Sequence, residues 1–261
     1  MAHRQRRTSH YQGNFHPSQV SAIAAWLRLA GGTITGSGYS SVPDVLASNP
    51  AVQTTDGSRP PNLNSANGLP RADFDGSADH FDWPVAANNN QTVTHGFAAW
   101  VEFDSVADGV RGIFGAITAG SARAELVKNS AALLIDVYHS AVSIRRGTVA
   151  SAFSAATKYF LTWEYDGDGA NDAAKCTLTR SGTVLTVTFT DDTGAPLIMP
   201  ATLISTAGPH IIGARTAAGV GPINGKIGPN IWILGSKMAG ATQGLLTTEA
   251  RANLMNFEKP T

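Results

Sequence analysis

From Arg71 to Gly235 the chain alternates apolar and polar residues with a period of two, in about a dozen short runs separated by turn residues. RADFDG and HFDWP flank a Gly-Ser-Ala-Asp turn. GFAAWVEFD, VRGIFGAIT, RAELVK, ALLIDVYH and VSIRR follow, then KYFLTWEYD, KCTLTR, TVLTVTFTD, HIIGAR and NIWILG. Period two is the repeat of a strand, and the gaps are too short for the helical crossovers that parallel strands need. The pattern predicts an all-β fold, an antiparallel two-sheet jelly-roll sandwich. Gly 27 and Pro 13, with only 15% charged residues, suit such a turn-rich sheet protein.

Two helices are expected at the ends. HPSQVSAIAAWLRLAGG reads as a short N-terminal helix. Ser18 is placed to cap it, Val20, Ile23, Ala24 and Leu27 fall at i, i+3, i+4, i+7, and Gly31-Gly32 stops it. LTTEARANLMNFEK reads as a short C-terminal helix with Ala250, Leu254 and Phe257 on one face. Residues 33–70 show no period and are rich in Ser, Asn, Pro and Gly, an irregular lead-in that lies on the surface or wraps the domain. No repeat or linker interrupts the pattern, so residues 16–261 read as one domain behind a basic arm at 1–15.

Nineteen basic and nineteen acidic residues balance, so no global field attracts nucleic acid or an anionic membrane. The balance conceals an asymmetry. The first ten residues carry Arg4, Arg6 and Arg7 and no acid, which leaves 16 basic against 19 acidic residues in the rest. The single Cys176 excludes an intramolecular disulfide and fits a reducing compartment or assembly inside a cell. The polar, basic start has no apolar h-region, and no apolar run approaches the ~20 residues of a membrane helix. The sequon at Asn90 therefore carries little weight.

Five stretches carry a resemblance to a known fold: NGLPRADFDGSADHFDWP, GFAAWVEFD, KYFLTWEYDG, CTLTRSGTVL, and INGKIGPNIWILG followed by LLTTEARANLMNFEKP. In this order they resemble the concanavalin A-like lectin/glucanase superfamily, in its laminin-G-like branch. The resemblance implies an opening hairpin, a core strand, a hairpin with a Tyr-Asp-Gly turn, and a last strand leading to a short helix. The N-terminal segment, Pro43 to Asn49 and the RP…NGLP stretch resemble the lead-in of such domains in bacteriophage structural proteins. The resemblance spans roughly residues 16 to 258 and implies a fold that carries many functions.

WEYDGDGAND, residues 163–172, concentrates the acidic candidates. Glu164, Asp166 and Asp168 stand at i, i+2 and i+4, imitating the E-x-D-x-E strand of laminarinase-like glucanases that sets two carboxylates across a glycosidic bond. The third member is one methylene short, and Asp168 lies between glycines where a strand rarely continues. Asp166, Asp168, Asn171 and Asp172 could instead offer oxygens to Ca²⁺, although the EF-hand spacing fails. The favoured reading is a turn, since Asp, Asn and Gly adopt αL and cap their own backbone. Gly-rich imitations of dinucleotide and phosphate loops at 167–172 and 219–226 lack the defining residues. Seven scattered His show no zinc spacing, and Cys176 reads as a small buried residue.

Of the five Trp, all but Trp83 stand within apolar segments and read as core. Trp83, beside Pro84 at a strand end, is the candidate for glycan contact. The first functional reading is a non-enzymatic structural or adhesion module of a phage virion, acting through contacts with virion proteins and copies of itself, made in the host cytoplasm without secretion. Arg4, Arg6 and Arg7 would form its assembly arm, ordered by carboxylates of a neighbour. The alternative is a carbohydrate-binding module that recognises a host glycan, and the third is a glucanase-like hydrolase. No cofactor other than Ca²⁺ is implied, and neither nucleic acid nor membrane is expected as a partner.

Overall fold

The computed structural model describes residues 15–47, 49–83, 94–117, 123–140, 143–191, 199, 210–216 and 219–261. Strands β1 to β6 span Ile23–Arg28, Thr33–Thr35, Gly38–Val42, Ala51–Val52, Asn62–Asn64 and Pro70–Asp75. Strands β7 to β12 span Phe81–Trp83, Thr94–Phe103, Val110–Ile117, Arg123–Asn129, Ala132–Ser140 and Ser143–Val149. Strands β13 to β18 span Lys158–Asp166, Cys176–Arg180, Thr183–Val184, Thr188–Asp191, His210–Ile212 and Asn224–Leu234. Two short helices complete the chain: α1, Asp172–Lys175, and α2, Thr248–Asn256. No helix among the described residues is long and apolar enough to cross a membrane.

The strands form two antiparallel sheets, as the period-two pattern predicts. One has eight strands in the order β15-β14-β13-β8-β18-β6-β5, with β1 also paired to β18. The other has ten, β16-β12-β11-β10-β9-β17-β7-β4-β3-β2. β18 holds the first sheet together by changing partner along its length. Its first half pairs with β6 and its second with β1, and the register shifts between Ile227 and Ile231. Pro229 has no N–H to give to a ladder, so the change falls where the sequence interrupts pairing.

Two apolar clusters result. The larger lies between the sheets and includes Phe97, Phe114, Leu126, Ile135, Trp163 and Ile227. The smaller lies on the far side of the eight-stranded sheet, where Trp26, Trp100, Phe160 and Trp232 are covered by Leu245, Leu246 and Leu254. Alternation along the central strands feeds both: on β8, Phe97, Ala99, Val101 and Phe103 face the first cluster and Ala98 and Trp100 the second. Full burial of each leucine stabilises by about 1.5–3 kcal/mol, which is how a nine-residue α2 persists although isolated helices of that length do not. Thr247 caps α2, accepting from the Ala250 N–H at 3.1 Å.

Four features depart from the sequence expectations. The N-terminal helix shrinks to a single 3-10 turn at Pro17–Gln19, capped by His16 rather than Ser18, and the following residues form β1. Ala25 and Leu27 face the main cluster while Trp26 faces the second, so β1 is apolar on both faces. Such a strand is a continuous apolar run that imitates helical spacing. Residues 33–70 contribute short strands to the edges of both sheets instead of an unstructured wrap. The expected opening hairpin is a crossover, since β6 and β7 belong to different sheets. TVLTVTFTD is likewise split: β15 edges one sheet and β16 the other, with Leu185 and Val187 packed on the core where the chain crosses. Phe15, placed in the arm, packs its ring edge-on to Phe257 at 6.3 Å; residues 1–14, with Arg4, Arg6 and Arg7, lie outside the described residues.

Candidate ligand-binding face

The acidic stretch at 163–172 is taken up by the fold. Trp163 and Tyr165 point into the main core, which turns Glu164 to the opposite face of β13, beneath the C-terminal segment. There Glu164 is fully buried, and both its oxygens are occupied. Oε1 accepts from Arg251 Nε at 2.6 Å and the Thr162 hydroxyl at 3.0 Å. Oε2 accepts from Arg251 Nη2 and from the Leu245 and Leu246 N–H groups at 2.7–2.8 Å. β13 ends at Asp166, and Asp168 sits exposed in the following turn. Glu164 and Asp168 therefore do not share one strand face, and the carboxylate ladder does not form.

The residues of the Ca²⁺ reading are also drawn to separate places. Asp166 pairs with Lys237 at 2.6 Å. Asn171 caps α1 by accepting from the Ala174 N–H at 3.0 Å. Asp172 takes Arg145 Nε at 3.0 Å and the Met199 N–H at 2.6 Å, tying β12 of one sheet to the turn after β13 of the other. Asp166, Asn171 and Asp172 each serve a different local partner, and among the described residues no three His, Cys, Asp or Glu converge on one point. A cleft of about 400 Å³ opens between this turn and the 237–244 loop, lined by Asp166, Asp168, Lys237 and Gln243. Trp83 is not on the surface. It is 1% exposed, donates its indole N–H to the Asn49 carbonyl at 2.9 Å and lies 5.5 Å from the His210 ring, so it cannot stack on a sugar.

A different arrangement stands on the outer face of the ten-stranded sheet. Cross-strand register lines up Asp82, Ile211, Gly115, Glu125, Asp136, Arg146 and Thr190 in one row across β7, β17, β9, β10, β11, β12 and β16. Their neighbours Leu126 and Ile135 face the core, so this row faces away from it. Arg146 grips Asp136 with two parallel bonds, Nε–Oδ1 at 2.6 Å and Nη2–Oδ2 at 2.7 Å. Arg215, from the turn after β17, grips Glu125 in the same way at 3.2 and 2.7 Å.

The carboxylates are buried and the guanidiniums are not: side-chain exposure is 3% and 2% for Asp136 and Glu125, but 35% and 25% for Arg146 and Arg215. Bidentate pairing fixes the plane of each guanidinium at little further entropic cost. The hydrogen bonds that Arg215 donates to Glu125 raise its guanidinium above its ordinary value despite partial burial, and Arg215 lies within electrostatic range of Asp136 and Arg146. Gly115 makes the close approach possible, since a Cβ there would sit 2.8 Å from the Glu125 Cβ. Two residues along the same face, Val127 and Leu134 are buried and belong to neither core cluster. Sequence reasoning passed over these residues because Glu125 and Asp136 look like the polar half of ordinary strands. The signal was a carboxylate directly opposite another on the neighbouring strand, an arrangement that needs cations to hold it.

No protein-family model matches the sequence, and no curated protein sequence matches it. The fold is similar to solved structures at low identity. A Trypanosoma rangeli sialidase in complex with sialic acid aligns with TM-score 0.56 and 15% identity, over 89% of this chain and 32% of the sialidase. The CBM40 domain of the Ruminococcus gnavus IT-sialidase, bound to α2,3 sialyllactose, aligns with TM-score 0.51 and 9% identity, over 66% of this chain and 93% of that domain. A leech intramolecular trans-sialidase aligns with TM-score 0.50 and 12% identity, over 69% of this chain and 27% of the enzyme. The chain thus spans about a third of the first sialidase and is comparable in extent to the CBM40 domain. At these identities the likeness is one of fold, a two-sheet jelly-roll sandwich shared with sialidase and CBM40 domains.

Proposed function

We propose that the protein is a non-catalytic carbohydrate-binding domain, and that its ligand surface is the outer face of the ten-stranded sheet around Arg146 and Arg215. The observation that carries this reading is the pair of part-exposed guanidiniums, each locked by a buried carboxylate, on one row of a broad sheet. Fixed guanidinium edges suit a carboxylate or vicinal hydroxyls. An acidic glycan offers both. The CBM40 neighbours were solved with α2,3 and α2,6 sialyllactose, which makes a sialylated oligosaccharide the first ligand to test. The same comparisons support this reading over the virion-assembly reading. The hydrolase reading loses its residues, because Glu164 is committed to Arg251 and two amides.

The test is calorimetric titration with 3′- and 6′-sialyllactose, using lactose as the neutral control. Arg146→Ala or Arg215→Ala should weaken binding of the acidic sugar by about tenfold or more, since a hydrogen bond to a charged group contributes roughly 1.5–3 kcal/mol. Each truncation leaves a buried carboxylate without its partner, so Arg146→Lys and melting curves must accompany it to separate misfolding from lost contact. Wild-type affinity in both folded variants would place the ligand elsewhere. Release of free sialic acid by the wild type would refute the non-catalytic part.

A further inference from the structure

We propose that acid loosens this ligand face from beneath, through the buried pair of imidazoles His95 and His210. This inference rests on the glycan-face reading and concerns its regulation. The two rings come from opposite sheets, His95 from β8 and His210 from β17, and meet across the sandwich with centroids 4.9 Å apart. Their surroundings are aromatic. Phe114 stacks on both, at 5.4 Å and 5.3 Å, Trp163 meets His95 edge-on at 5.6 Å, and Trp83 tilts against His210 at 5.5 Å. His95 is 4% exposed and His210 0%.

Burial holds the His95 imidazole down at about 4, and it holds His210 well below its ordinary value, with the charge of His95 as the next cause. Among the described residues, Tyr165, Cys176 and Arg145 do not offset a charge here between pH 7 and 5. Tyr165, paired with His95 across β13, and Cys176 beside it are both pushed up by burial and stay neutral. Arg145 lies four strands away along the same inward row and is balanced by Asp172 and Asp191. Asp82 and His80 flank Trp83 at 3.7 Å from one another, with Asp82 on the opposite face of β7.

The connection to the face is covalent and short. β17 has only three residues: His210 faces the core, Ile211 stands in the ligand row beside Gly115, and Arg215 follows three residues after the strand. The Gly213 N–H donates to the Ile113 carbonyl at 2.9 Å, which anchors the turn to β9. A proton on either imidazole puts charge into a buried, aromatic space, and a second places like charges 4.9 Å apart. Opening β17 lets both hydrate. The sign follows from linkage: these groups bind protons more weakly in the closed state, so its stability is fully present above about pH 6.5 and falls as pH drops toward 4.

The experiment measures amide protection factors, corrected for intrinsic exchange, over Ile211–Arg215, together with sialyllactose affinity, at pH 7 and pH 5. For His95, moved from about 6.5 to about 4, protection should fall by up to about 30-fold; His210 acts in the same direction, and affinity should fall at least tenfold with it. The double variant His95→Phe/His210→Phe should abolish both changes. Should that variant fail to fold, His95→Phe alone should reduce them. Unchanged protection at pH 5 in the wild type, or a full affinity drop that survives in the folded variant, would overturn the switch. A wild type that shows the protection change but binds no glycan at either pH would defeat the ligand reading and leave the acid loosening standing.

Discussion

Replacing Arg251 by alanine should destabilise the protein by about 3–5 kcal/mol, because it strands a fully buried carboxylate. Glu164 is 0% exposed and sits under Leu245 and Leu246, so water does not reach it without lifting the C-terminal segment off the sheet. Glu164→Gln should also destabilise, for a different reason. The carboxylate receives five donors across its two oxygens, whereas the amide offers one oxygen and turns an NH₂ toward backbone N–H groups. The double variant Glu164→Leu/Arg251→Met should recover only part of the loss, since the Leu245 and Leu246 amides would remain unsatisfied. Urea denaturation of the four proteins tests this. A single variant within about 1 kcal/mol of wild type would mean that the pair is solvated, and would return Glu164 to candidacy as a reactive carboxylate.

The same residues show how far the sequence could be read. The period-two runs located the sheets, and the apolar face of Ala250, Leu254 and Phe257 located α2. What failed was the assumption that one apolar face means one core. Trp100 looked out of phase on β8 and Trp26 looked helical, because the eight-stranded sheet has a second cluster on its far side. That cluster exists only once the chain's two ends have folded over the sheet, and no local pattern encodes that return. Charge partners were invisible for a related reason. Glu164 and Arg251 are 87 residues apart, and Glu125 and Arg215 are 90. The acidic run at 163–172 drew attention because its members are neighbours in sequence, yet the fold sends Glu164, Asp166 and Asp172 to separate cations. The row at Glu125 and Asp136 is assembled by register across seven strands.

Trp83→Ala should cost about 3–5 kcal/mol and act on the fold before it acts on any ligand. The indole fills the end of the main core, with Asn49 accepting its N–H on one side and the His210 ring against its face on the other. Truncation leaves a cavity at the junction of β7, β17 and the His95–His210 pair, where the sandwich already holds two desolvated imidazoles. Trp83→Phe should cost less, since it retains an aromatic wall and loses one hydrogen bond, contributing roughly 0.5–1.5 kcal/mol, together with part of the ring volume. The cavity also admits water, which eases protonation of His210. By linkage, the alanine variant should lose less stability than wild type between pH 7.5 and 4.5, although from a lower starting value. Melting curves from pH 7.5 to 4.5 separate the possibilities. A Trp83→Ala protein that melts like wild type yet loses sialyllactose binding would show that the ring meets the sugar after all.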